Sequence, residues 1–126
     1  MKITEDYCSY EVAKLLKEKG FDEFCLTSYN TFLSNHKVEK SKMSEWGKAN
    51  QIYRPTHQMA MKWLREVYGL SVETFSIKGT SNICPVFWKG NVVKLLTQDR
   101  AFSGELVGSY EEAIEAVLKY SLENLI

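Results

Sequence analysis

The sequence predicts an α+β fold in a single domain, residues 1–126, in which a three-stranded antiparallel meander packs against helices. Three observations favour this fold class. A chain of 126 residues has the usual size of one domain with its own core. Apolar residues recur at helical spacing near both ends of the chain. Between them lie short runs rich in β-branched residues and separated by Gly and Asn, as in a meander. The predicted order is α(β)-loop-αβββα.

The N-terminal part of the chain predicts one helix and one strand. Ser9 is the expected N-cap of the helix, and Gly20 is its expected end. The apolar face of this helix contains Val12, Leu15 and Leu16. Residues 24–33 are rich in aromatic and β-branched residues, which favours a strand, although strict alternation is absent.

Residues 34–54 have the most unusual composition in the chain. They carry five Lys or Arg against two Glu, a local charge of +3, and their large side chains follow no sustained period. A segment of this length without a periodic pattern is uncommon inside a compact domain. We therefore expect a long basic loop that is either functional or mobile.

A second helix is predicted to follow this loop. Thr56 is its expected cap, and Gly69 is expected to end it. His57 lies in the first turn, where the helix dipole disfavours a positive charge, so we expect a neutral imidazole with a structural role. The predicted apolar face contains Met59, Ala60, Trp63, Leu64 and Val67.

Three strands are predicted next, over residues 72–77, 84–89 and 92–97. Gly90-Asn91 is typical of a two-residue hairpin turn between the last two strands. Pro85 cannot donate a hydrogen bond to a sheet, so we expect it at the start of its strand. The turn predicts a register that pairs Lys89 with Val92, Trp88 with Val93, Phe87 with Lys94 and Val86 with Leu95.

The last segment predicts an amphipathic helix that packs on the apolar face of the sheet. Ser109 and Glu112 have the spacing of a capping box. Its apolar face contains Tyr110, Ala113, Ile114, Val117, Leu118, Ser121, Leu122 and Leu125. Its acidic residues, expected on the solvent side, are Glu111, Glu112, Glu115 and Glu123.

The composition argues against several classes of function. Sixteen basic residues balance sixteen acidic ones, so no net field attracts nucleic acid or an anionic membrane. The sequence contains no nucleophile elbow, phosphate-binding loop or dinucleotide fingerprint. We therefore expect no enzymatic activity, no catalytic residue and no cofactor. Since the N-terminus is acidic and no segment is apolar enough to span a bilayer, we expect a cytoplasmic protein without a membrane partner.

The cysteines and histidines show no metal-binding pattern. Cys8, Cys25 and Cys84 lie far apart and are odd in number, which predicts free and buried thiols in a reducing compartment. A zinc site would have to combine them with His36 or His57 from distant segments, without a recognisable ligand spacing. We expect no metal site.

Three stretches of the chain resemble a family of small proteins carried by phages and mobile elements of gut bacteria. They are SYEVAKLLKEKGFDE, PTHQMAMKWLREVYGL and YEEAIEAVLKYSLENLI. No activity is assigned to that family, so the resemblance implies an accessory role and no catalytic residues. The element order from residue 55 onward also resembles the double-stranded-RNA-binding fold. Where that fold holds phosphates with lysines, however, residues 109–112 carry two glutamates.

The favoured functional hypothesis is a non-catalytic protein-interaction module. Aromatic residues make up 13% of the chain, and a small domain cannot bury all of them. Aromatic side chains also dominate the binding energy of many interfaces. The partner is either another protein or a second copy of the chain. The aromatic residues expected at the surface are Tyr29, Phe32, Trp46, Tyr53 and Phe87.

Two alternatives remain open. The basic aromatic loop, residues 36–54, combines phosphate-binding cations with rings on which bases can stack, so it can contact nucleic acid. The residues expected to make contact, with nucleic acid or with a partner, are Lys37, Lys40, Lys42, Trp46, Lys48, Tyr53 and Arg54. Binding or sequestration of a small molecule is the second alternative, and only the family resemblance suggests it.

Overall fold

The computed structural model describes residues 4–43, 50–76, 83–89, 92–95 and 110–126. Within three strand segments, residues 73–76, 83–89 and 92–95, it describes the backbone alone. In this part of the chain, three helices and two three-stranded antiparallel sheets form one small α+β domain. The predicted fold class is therefore confirmed.

The helices of the described segments are α1 (Tyr10–Glu18), α2 (His57–Tyr68) and α3 (Tyr110–Asn124). Two predicted caps are confirmed, since the hydroxyls of Ser9 and Thr56 accept hydrogen bonds from backbone N–H groups in the first turns of α1 and α2. Gly69 ends α2 with a φ of 66°, a conformation that a side chain would strain. The predicted cap of α3, Ser109, lies outside the described residues.

The first sheet is formed by strands β1 (Thr27–Asn30), β2 (Val38–Lys40) and β3 (Gln51–Tyr53), in the order β2-β1-β3. Strand β1 lies within the predicted strand at 24–33. Strands β2 and β3 lie within residues 34–54, which we expected to be one continuous loop, and that expectation is wrong where the structure describes the segment. Strands of three residues are too short to show a hydrophobic period, so only their pairing with β1 reveals them.

The second sheet is the predicted meander, with strands β4 (Leu70–Ser76), β5 (Ile83–Lys89) and β6 (Val92–Leu95). The predicted register between β5 and β6 is confirmed at all four pairs, from Lys89 opposite Val92 to Val86 opposite Leu95. The turn that predicted this register, Gly90-Asn91, lies outside the described residues.

Pro85 does not occupy the position that we expected. It is the third residue of β5, where it lies opposite Thr74 of β4. The pairing of β5 with β6 begins only at Val86, so among the described strands β5 has a single partner at Pro85. A proline is tolerated at such a position because no second neighbour requires its missing N–H group.

One hydrophobic core joins the three helices to the second sheet. Helix α3 packs against both β4 and β5, as predicted, and also contacts α1 and α2. The fully buried side chains of this core are Cys8, Val12, Leu16, Ala60, Leu64, Leu70, Val72, Ile114, Val117, Leu118 and Leu122. Close packing of these side chains supplies most of the stability of the domain.

The buried face of α2 differs from the predicted one. Met59 and Val67, which we expected in the core, are exposed, whereas Met61 is buried. His57 and Trp63 are also buried on this face. Apolar spacing alone indicates that a helix has a buried stripe, but only the neighbouring elements decide where the edges of that stripe lie.

This burial predicts the effect of truncating two side chains of α2. Leu64 is fully buried, so Leu64→Ala should lower the free energy of unfolding by about 2–5 kcal/mol. Val67 is 56% exposed, so Val67→Ala should change the free energy of unfolding by less than about 0.5 kcal/mol. Urea unfolding followed by circular dichroism measures both values. Equal losses for the two variants would contradict the orientation of α2.

Candidate functional site

The N-terminal segment lies antiparallel to the start of α2. The backbone N–H of Cys8 donates to the carbonyl of Pro55 (2.9 Å), and the N–H of His57 donates to the carbonyl of Asp6 (3.0 Å). Tyr7 and Thr56 form the bridge between these two hydrogen bonds. This pairing brings Cys8 next to His57, although 48 residues separate them in the sequence.

His57 contacts a carboxylate on the C-terminal helix. Its Nε2 lies 2.8 Å from Oε1 of Glu115, and its side chain is almost completely buried. Ser9, the N-cap of α1, also binds this carboxylate, because its N–H donates to Oε1 (2.9 Å) and its hydroxyl donates to Oε2 (2.7 Å). Glu115 is therefore half-buried where the N-termini of α1 and α2 meet α3, and our expectation that it lies on the solvent side is wrong.

The hydrogen bonds determine the ionisation of Glu115. Burial by itself raises the pKa of the carboxyl group, but the hydrogen bonds from His57 and Ser9 stabilise the ionised form and outweigh that effect. The pKa of Glu115 consequently lies below its ordinary value. The positive ends of two helix dipoles add to this preference for a negative charge.

Cys8 completes the cluster. One ligand atom from each of Cys8, His57 and Glu115 lies within 4.8 Å of the other two. Burial, followed by the negative charge of Glu115, raises the pKa of Cys8 well above its ordinary value, and its thiol lies 3.9 Å from the carbonyl oxygen of Thr56. A reactive cysteine needs the opposite environment, exposed and electropositive, so this geometry does not favour a nucleophile.

The burial of two cysteines is confirmed. Cys8 and Cys25 are both buried free thiols. Cys25 is not one of the three clustered residues, and its sulfur lies 3.8 Å from the sulfur of Met59. The side chain of Cys84 lies outside the described part of the chain.

The structure distributes the predicted contact residues over three environments. Lys37, Lys40 and Lys42 are exposed on and beside β2. Tyr53 is half-buried and packs edge-on against Phe24, with 5.8 Å between the ring centroids. Arg54 occupies the third environment, and Trp46 and Lys48 lie outside the described residues.

Arg54 is half-buried, and its guanidinium group packs against two aromatic rings. The centre of its guanidinium group lies 3.9 Å from the ring centroid of Tyr7 and 5.9 Å from that of Tyr29. Its Nη1 also lies 3.4 Å from the hydroxyl oxygen of Thr27. These cation–π contacts hold the guanidinium group between the N-terminal segment and the first sheet.

The β-hairpin formed by β1, β2 and their flanking residues, 26–43, exposes several large apolar side chains. We call it the β1–β2 hairpin. Leu26 is 77% exposed, Phe32 79% and Met43 73%. The expected exposure of Phe32 is confirmed, whereas Tyr29 is half-buried and its hydroxyl donates to the carbonyl of Cys8. Leu26 and Met43 do not belong to a periodic hydrophobic pattern, so only the fold shows that their side chains are exposed to solvent.

Comparison of the chain with protein-family models, with curated proteins and with solved structures found no match. The resemblance to the phage-borne family therefore stays a prediction. Among the helices that the structure describes, none has the length and apolar composition that a bilayer crossing requires.

The network around Glu115 predicts a pH-dependent contribution to stability. Glu115→Gln leaves the donors of His57 and Ser9 without a charged acceptor, so it should lower the free energy of unfolding at pH 7 by about 1–3 kcal/mol. Since the pKa is lowered on folding, this difference is complete above the ordinary value of 4.5 and disappears as the pH falls through the folded pKa.

Urea unfolding at a series of pH values, in the presence of a chelator, measures this difference. Glu111→Gln is the matched control, because Glu111 is exposed on the same helix. A loss from Glu115→Gln that stays constant down to about pH 3 would show that its carboxylate is not stabilised by these bonds.

Proposed function

We propose that the protein is a non-catalytic interaction module and that its β1–β2 hairpin docks onto a partner protein. The observation that carries this proposal is the exposure of Leu26, Phe32 and Met43, each more than 70% exposed on one hairpin. Burying a side chain of this size contributes roughly 1.5–3 kcal/mol. Several such side chains on one short element are typical of a surface that another molecule covers.

The hairpin is held in place before any partner arrives. The hydroxyl of Tyr29 donates to the carbonyl of Cys8, which ties β1 to the N-terminal segment. The ring of His36 stacks on that of Tyr10 at the start of α1, with 3.6 Å between the ring centroids. A surface that is already ordered loses little conformational entropy on binding, so these contacts favour recognition.

The charges on the hairpin indicate the chemistry of the partner. Lys37, Lys40 and Lys42 are exposed on the same hairpin as the apolar side chains. The single described acid between them, Glu39, accepts a hydrogen bond from Asn30 (3.1 Å). Complementary charges orient an encounter and select the partner. We infer that the partner presents an apolar centre surrounded by acidic side chains.

Binding of nucleic acid is the less favoured alternative. It uses the same three lysines, but two further residues expected to assist them are engaged within the fold. Arg54 stacks on Tyr7 and Tyr53 packs against Phe24, so neither is free to hold a phosphate or a base. The small-molecule alternative rests on the family resemblance alone.

The docking proposal predicts the effect of a double substitution on the hairpin. Leu26→Ser with Phe32→Ser removes two anchors, and we expect at least a tenfold loss of partner recovery, which corresponds to about 1.4 kcal/mol. Tagged wild type and variants are cross-linked in the source cell, and the recovered proteins are compared by quantitative mass spectrometry. Val67→Ser is the control, because Val67 is exposed on α2.

The expected result is an acidic protein that wild type and Val67→Ser recover equally and that the double variant does not. Recovery that the double substitution leaves unchanged would refute docking through the hairpin. Circular dichroism checks that both variants remain folded, which is expected because all three side chains are exposed.

A second measurement separates the protein partner from nucleic acid. Fluorescence anisotropy with single- and double-stranded oligonucleotides at low salt should show no binding. Binding that weakens steeply with salt and is lost in Lys37→Glu with Lys40→Glu would replace the docking proposal with the nucleic-acid alternative.

A further inference from the structure

We propose that Cys8, His57 and Glu115 form a binding site for one zinc-class divalent cation. The site is independent of the docking function proposed above, since it lies among the helix N-termini and not on the exposed side chains of the β1–β2 hairpin. The observation behind it is that ligand atoms from these three side chains lie within 4.8 Å of one another.

The donor set selects the class of metal. A thiolate, an imidazole and a carboxylate are the three protein ligands that zinc uses. The sulfur donor disfavours calcium and magnesium, which take oxygen ligands. The charges also balance, because a thiolate and a carboxylate together neutralise a divalent ion. Without the ion, a second negative charge beside Glu115 is unfavourable, and the thiol stays protonated.

The distances are close to those of a tetrahedral site. With metal–nitrogen and metal–oxygen bonds near 2.0 Å and a metal–sulfur bond near 2.3 Å, ligand atoms are separated by about 3.3–3.6 Å. The 2.8 Å between Nε2 of His57 and Oε1 of Glu115 would widen by about 0.5 Å to admit an ion. The widest separation in the cluster, up to 4.8 Å, would close by about 1 Å. Side-chain rotations can supply shifts of this size.

The surroundings already orient the three ligands. Both oxygens of Glu115 accept hydrogen bonds from Ser9, and this leaves lone pairs free for a metal. The backbone pairing of the N-terminal segment with the start of α2 positions Cys8 and His57. Such outer contacts determine the direction and the affinity of metal ligands.

The imidazole of His57 is bonded through only one of its two nitrogens. Nδ1 of His57 is buried and has no hydrogen-bond partner among the described residues. Since Nε2 is bonded to Glu115, one of the two nitrogens of a buried imidazole is left without a hydrogen bond, which is uncommon in native proteins.

Two members of the cluster, His57 and Glu115, line an acidic groove. Besides His57 and Glu115, this groove is lined by Asp6, Tyr7, Ser9, Glu111 and Glu112. Carboxylates around an entrance raise the local concentration of cations. The groove also provides room for a water molecule as the fourth ligand. Three protein ligands and one open position are a common arrangement in zinc sites.

Cobalt titration of the metal-stripped full-length protein tests the site. We expect one Co²⁺ per chain, with visible bands of tetrahedral cobalt and an ultraviolet band from charge transfer between thiolate and cobalt. Zn²⁺ should displace the cobalt, and Mg²⁺ should not. Cys8→Ser should abolish the charge-transfer band and weaken binding at least about tenfold. Cys25→Ser changes a second buried cysteine that is not one of the three ligands, so it should retain both.

Three results would overturn the proposal: no stoichiometric cobalt in the wild type, a charge-transfer band that survives Cys8→Ser, or a band that Cys25→Ser removes equally. If Cys8→Ser does not fold, Glu115→Gln provides the test, because it removes a charged ligand and should also weaken Co²⁺ binding at least about tenfold. Unchanged affinity in that variant would exclude this site. The double substitution at Leu26 and Phe32 leaves metal binding intact, so failure of one proposal is distinguishable from failure of the other.

Discussion

The carboxylate of Glu115 is the interaction on which the arrangement of the helices depends. It lies on α3, binds the N-cap residue of α1 through two hydrogen bonds and contacts the first residue of α2. A half-buried charge is costly to desolvate unless it is paired, and here Ser9 and His57 supply the pairing. Three elements meet at this group, and their apolar faces share one core, in which Leu16, Leu64 and Leu118 are fully buried.

Cys8 connects this junction to the rest of the molecule. Its side chain completes the cluster with His57 and Glu115, while its carbonyl accepts the hydroxyl of Tyr29 from the first sheet. The β1–β2 hairpin is thereby anchored to the same short segment that pairs with α2. The two proposed activities thus have separate contact surfaces, one polar and buried and the other apolar and exposed, but they share a structural support.

The parts of the fold that follow from local chemistry were predictable. The hydroxyls of Ser9 and Thr56 cap helices because they satisfy N–H groups a few residues away, and Gly69 ends a helix because of its own backbone freedom. The register of β5 and β6 followed from two turn residues. The first sheet was missed in part, because three-residue strands such as Val38–Lys40 have no period and are stabilised by pairing with β1.

The amino-acid sequence by itself determined the fold class, the N-caps of α1 and α2 and the meander, since each of these depends on residues that are neighbours along the chain. Only the tertiary structure decided that Glu115 turns inward, that Cys8 lies beside His57 and that Leu26 remains in water. Residues 8, 57 and 115 meet through backbone pairing and helix packing across more than a hundred residues. No spacing rule connects them, because their proximity is a property of the packed elements and not of any one segment.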